Sequence, residues 1–136
     1  MASSSTNPAA ARMRSPLGRA LGLGSAKEGV EHWWMQRITS IALVPLSLWF
    51  VASVVALLGA DYETFVAWIG SPVPAILMIL LIIAAFYHSA LGVRVVIEDY
   101  VHGEGWKTAA LIVQNLIHFA LGVAGVFAVM RVAFGG

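Results

Sequence analysis

Three stretches without a single Asp, Glu, Lys or Arg, residues 38–60, 64–93 and 108–130, set the terms on which this chain folds. A helix needs roughly 20 apolar residues to cross a hydrocarbon core about 30 Å thick, so each stretch can span a membrane. The sequence predicts an all-α membrane protein with transmembrane helices over about 38–58, 74–96 and 108–132. Composition agrees. Of 136 residues, 60% are hydrophobic and 11% charged, with a mean hydropathy of +0.84. A soluble domain carries about 25% charged residues. One this small leaves much of its surface exposed, with too little polar surface to cover so apolar a chain. The chain has no Cys, which excludes disulfides, thiolate zinc sites and Cys-ligated clusters within it. A net charge of +1 gives no reason to expect a nucleic-acid partner.

Punctuation refines the spans. Pro72 and Pro74 mark the entry to the second helix, because proline suits a first helical turn better than an interior. Pro45 lies inside the first helix, a kink position that neighbouring helices make tolerable. Arg12, Arg14, Arg19, Lys27 and Arg37 precede the first span, whereas the first connection holds only Asp61 and Glu63. The positive-inside rule therefore places the N-terminus and the second connection in the cytoplasm of a bacterial cell, or in a mitochondrial matrix. Trp33, Trp34 and Trp106 fall at expected interfaces. Residues 1–29, rich in Ser, Ala, Gly and Arg, are read as a flexible cytoplasmic tail in preference to a transit peptide. Residues 30–136 form the three-helix domain.

Polar chemistry concentrates in "YHSALGVRVVIEDYVH". His88 lies about 12 Å inside the expected end of the second helix. Intramembrane ionisable residues are expensive and usually functional. Its helical neighbours at i−4, i−3 and i+4 are Ala84, Ala85 and Gly92. These small residues leave a notch in which a flat macrocycle could lie with its iron on the histidine nitrogen. Tight helix–helix packing with a hydrogen-bonded His88 accounts for the same pattern. "HFALGV" at His118 echoes "HSALGV" at His88, at comparable depth on an antiparallel helix. A bis-His site within this chain is thus one reading. An interhelical face of Gln114, Asn115 and His118 is the other. Tyr100 at the interface could donate to a ligand carbonyl, with Asp99 beside it to orient a partner. That pairing suits a quinone. Arg94, Glu98 and His102 read as a solvated, charge-compensated helix end.

The pattern His88-Ser-Ala-Leu-Gly92 … Asp99-Tyr100, the approach "HWWMQRITSIAL" and the three spans together resemble the hydrophobic membrane-anchor subunit of succinate dehydrogenase, respiratory complex II. The resemblance covers roughly residues 28–131. It implies half of a heterodimeric helix bundle, completed by a second three-helix anchor subunit. It implies a shared b-type haem (haem b) with one axial histidine per anchor, here His88, which demotes His118 as a ligand. It implies a quinone site, for ubiquinone or menaquinone, with Tyr100 and Asp99. Arg37 would lie near the haem propionates and the quinone. Where some relatives have a histidine just before His32, this chain has Glu31. Succinate oxidation, FAD and the iron–sulfur clusters would belong to the flavoprotein and iron–sulfur subunits, since this chain has neither a dinucleotide fingerprint nor cysteine ligands. The expected location is the bacterial inner membrane, or the mitochondrial one. A fumarate-reducing anchor, a self-contained cytochrome using His88 and His118, and a cofactor-free packing protein are the competing readings.

Overall fold

The computed structural model describes residues 25–135. Among them are four helices, α1 (Ser25–Ala56), α2 (Tyr62–Gly70), α3 (Pro72–Tyr100) and α4 (Glu104–Gly135). Three are long and apolar enough to cross a membrane, over Gly29–Ala56, Pro72–Tyr100 and Glu104–Gly135. The chain divides into two units, Met1–Trp34 and Met35–Gly136. In the first, Trp33 and Trp34 meet edge to face with ring centroids 5.3 Å apart. Residues 1–24 of the expected tail lie outside the described residues. Its last five residues belong to α1.

All three long helices exceed the expected spans at one or both ends. Counting charge-free residues finds the part that must sit in hydrocarbon. Helical hydrogen bonding continues past it, because charged side chains can project into the headgroup layer without breaking the backbone ladder. What ends each helix is local. Past the end of α1, Gly59 adopts a φ of +81°, a left-handed conformation that glycine takes without steric cost. The Ala60 N–H returns to the Leu57 carbonyl at 3.0 Å. Ser71 closes α2 and opens α3, its backbone N–H on the Trp68 carbonyl, with Pro72 in the first turn, where a missing N–H costs nothing. The expected start at Pro74 is therefore two residues late. Pro45 stays within α1, leaving the Ile41 carbonyl without its helical donor.

Most of the first connection is itself helical, because α2 occupies it. Asp61 caps α2 by accepting from the Thr64 N–H at 2.9 Å. Hydrogen bonds from the Thr64 side chain and backbone hold the Asp61 carboxyl below its ordinary range. Behind the cap, Ile69 joins Ala75 of α3 and Val129 of α4 in the apolar centre, with Trp68, Met78, Ile82 and Val132 packed around it. Trp49 of α1 stacks on Trp68 at 5.9 Å.

Helices α3 and α4 form an antiparallel pair. Gly125 faces Ile82 and Gly122 faces Phe86. Towards the turn, Ser89 bonds to His118 and Gln114 reaches the Ala90 carbonyl. Within the described residues only Ile69, Ala75, Val129, Thr39 and Gln114 are buried. Large apolar side chains such as Leu48, Ile83 and Phe119 stand exposed along all three long helices. That distribution suits a chain whose surroundings are lipid and other subunits.

Candidate functional site

The two buried polar residues each attend a histidine. Thr39 of α1, 8% exposed, places its hydroxyl oxygen 3.0 Å from His88 Nδ1. The same hydroxyl lies 2.8 Å from the Met35 carbonyl and 3.1 Å from that of Gln36, the back-bonding habit of a mid-helix threonine. A hydroxyl has one proton. Directed at its own helix, it leaves the oxygen to accept from an Nδ1–H. The proton then sits on Nδ1, and Nε2 keeps its lone pair.

His118 is held differently. Its Nδ1 lies 2.8 Å from the Gln114 carbonyl, and its Nε2 lies 3.1 Å from Ser89 Oγ. A carbonyl only accepts, so Nδ1–H donates to it and Nε2 takes the Ser89 proton. Both nitrogens are used within the helix pair. Phe86 meets the imidazole edge to face, with centroids 6.4 Å apart. The structure does not bring His88 and His118 together, since one turns to α1 and the other lies between α3 and α4. Gln114 places its Nε2 2.7 Å from Asn115 Oδ1. Its buried Oε1 has no partner among the described residues. The expected face of Gln114, Asn115 and His118 thus exists as a packing network.

The small residues around His88 share its side of α3. At about 100° per residue, Ala84, Ala85 and Gly92 fall within roughly 60° of its direction. Each is half-buried. A Cβ placed on Gly92 would meet nothing within 4 Å, whereas one on Gly122 would touch Phe86 at 3.6 Å. The space beside His88 is therefore open. The free Nε2, the small flank and that opening together fit a flat, iron-bearing macrocycle.

Helix α3 runs unbroken from His88 to Tyr100. Twelve residues put the two about 18 Å apart along the axis. Asp99 projects within roughly 20° of the His88 direction and Tyr100 about 120° away, so the two face different neighbours. Both are exposed in the last turn. Arg37, also exposed, precedes Thr39 by two residues, on the side of His88 nearer Tyr100, because α1 runs antiparallel to α3. Arg94 pairs with Glu98 at 2.9 Å, and Lys107 Nζ donates to the Glu98 carbonyl at 2.9 Å. This is the compensated helix end that the sequence suggests. Between α3 and α4 lies an open, mainly apolar groove of about 730 Å³, lined by Phe86, Arg94, His118 and Phe127 among others.

Sequence reasoning did not find Thr39. The only signal was a hydroxyl in an apolar helix, and nothing local ties it to a residue 49 positions away.

Residues 11–129 match the family model described as succinate dehydrogenase/fumarate reductase transmembrane subunit. The chain is 35% identical over 124 residues to the succinate dehydrogenase hydrophobic membrane anchor subunit of Paracoccus denitrificans, covering 91% of this chain and 95% of that one. It is 34% identical over 116 residues to the subunit of the same name from Rickettsia bellii, covering 85% and 93%. The succinate dehydrogenase membrane anchor subunit of Reclinomonas americana is 29% identical over 94 residues, covering 67% and 78%. No solved structure gives a significant match.

Proposed function

The chain belongs to the succinate dehydrogenase/fumarate reductase transmembrane-subunit family, as a multi-pass membrane anchor, and on that premise we propose that it supplies one axial ligand to a b-type haem and one wall of a quinone-reduction site. Its relatives are subunits of succinate dehydrogenase, so its partners are the other subunits of such a complex. We assign these as a second three-helix anchor, an iron–sulfur subunit and a flavoprotein, held at a bacterial inner membrane with the N-terminus on the cytoplasmic side.

The observation that carries the reading is the state of His88. Its imidazole is tethered through Nδ1, its Nε2 is left over, and the adjoining Gly92 position is open. An intramembrane histidine held in that way has a lone pair to give and room beside it. His88 would hold the haem iron through Nε2, with a further ligand supplied by the partner anchor. When bound, the haem supplies a one-electron store between the partners' clusters and the quinone. Ala84, Ala85 and Gly92 give the macrocycle a flat wall. Arg37 offers a guanidinium suited to a propionate.

The quinone end is separate and interfacial. The Tyr100 phenol, exposed at the last turn of α3, donates its O–H to a quinone carbonyl. Asp99, beside it but turned away, orients the proton supply from the aqueous side. Electrons from the partner subunits and two protons yield quinol. Succinate oxidation itself belongs to the flavoprotein.

The test is the reduced-minus-oxidised spectrum of the purified complex. Wild type shows b-haem absorbance, and His88→Ala abolishes it while the subunits still co-purify. A wild-type complex without haem, or full haem in His88→Ala, overturns the ligand assignment.

A further inference from the structure

Ligation through Nε2 needs the other ring nitrogen to be protonated and its proton to have an acceptor. In a helix bundle bathed in lipid no water is on hand for the purpose. We infer that Thr39 is the positioning residue for His88, its hydroxyl oxygen accepting the Nδ1–H so that the imidazole is fixed in the ligating tautomer and made a stronger donor. This rests on His88 being the haem ligand proposed above.

Four observations support it. The contact is short, at 3.0 Å. Thr39 is nearly inaccessible, so solvent does not compete for the bond. The hydroxyl proton already faces the Met35 and Gln36 carbonyls of its own helix, which leaves the oxygen an acceptor and stops it from rotating away. The contact also crosses from α1 to α3, so it fixes the ring against a separate element rather than against its own backbone. His118 lacks this arrangement, because its Nδ1 is satisfied by a carbonyl one turn back in α4 and its Nε2 is taken by Ser89.

Such outer partners orient a metal-bound imidazole and raise its basicity, and losing one typically lowers metal affinity about 10–100-fold. A more basic imidazole favours the ferric over the ferrous haem. Removing the acceptor therefore weakens ferric binding more than ferrous, and the midpoint potential rises.

The experiment uses the complete complex, purified from membranes, carrying Thr39→Val or Thr39→Ser. Valine keeps the shape and discards the acceptor. Serine keeps the acceptor. For Thr39→Val the haem-to-protein ratio falls and the haem midpoint potential moves upward, by about 59 mV for each tenfold loss of ferric-over-ferrous preference. Thr39→Ser matches wild type in both. If Thr39→Val does not assemble, Thr39→Ala, which introduces no bulk, carries the same expectation. Equal potentials and haem contents in wild type and the acceptor-free variants overturn the inference, as does a serine variant displaced as far as valine. Absence of haem from wild type instead overturns the ligand assignment of His88, so the two failures are told apart.

Discussion

His88 to Gly92 and His118 to Gly122 are nearly the same words in the sequence, and the fold uses them in opposite ways. The first histidine is tied through one nitrogen to another helix and faces open space past Gly92. The second is tied through both nitrogens and packs with Phe86 over Gly122. The likeness also stops downstream. Eleven and twelve residues after His88 stand Asp99 and Tyr100. At the same distance after His118 stand Val129 and Met130, the former in the apolar centre. A histidine with a small residue one turn on can be a ligand cradle or a helix-packing notch, and the motif is silent on which. The occupant of each ring nitrogen decides.

The sharpest way to break this comparison is to fill both notches. Gly92→Leu should reduce bound haem by more than tenfold while the subunits still co-purify, as a spectrum and a gel of the same preparation would show. Gly122→Leu drives a large side chain into Phe86 and should instead lower stability by about 1–3 kcal/mol, read as earlier thermal loss of the complex. Equal haem loss in both would erase the distinction. A second contrast removes the bonds of the packing histidine. His118→Leu removes the imidazole's bonds to the Ser89 hydroxyl and the Gln114 carbonyl, costing about 1 kcal/mol, yet should leave the haem spectrum intact. Loss of haem there would return His118 to the ligand set. Third, the downstream end of α3 should answer separately. Tyr100→Phe removes one hydrogen bond worth about 1 kcal/mol, so quinone reduction should fall about fivefold with dye-linked succinate oxidation unchanged. Parallel loss of both activities would end the direct quinone role.

The smallest effect lies outside the membrane, at the α2 cap. The Asp61 carboxyl titrates below its ordinary value in the folded chain. Its contribution is therefore complete above the unfolded carboxylate range and disappears as pH falls through the lowered folded value. Thermal stability of wild type and Asp61→Ala should differ slightly at neutral pH and converge in acid. A constant difference across that range would show that the cap's charge is irrelevant.

The three spans were legible because hydrocarbon imposes a one-dimensional rule on sequence, and residues 38–60, 64–93 and 108–130 obey it. The sequence also placed Ala84, Ala85 and Gly92 on the side of α3 that His88 occupies. Helix α2 could have been read, since Asp61 precedes Glu63 in the first turn of an apolar run. The helix ends were less accessible, because they depend on Gly59, Ser71 and the interfacial turns more than on where hydrophobicity stops. Thr39 was out of reach. A bond across 49 residues leaves no periodic trace, and a lone threonine in a membrane helix usually bonds only its own backbone.

Burial is scarce among the described residues, and two of the five buried side chains are polar. Such a subunit has little to hold it together when made alone, and its exposed apolar faces would meet only lipid. In a cell its lifetime should track the supply of its partners. An anchor made in excess of those partners should turn over faster than the same chain within the complex, which a pulse-chase comparison would read.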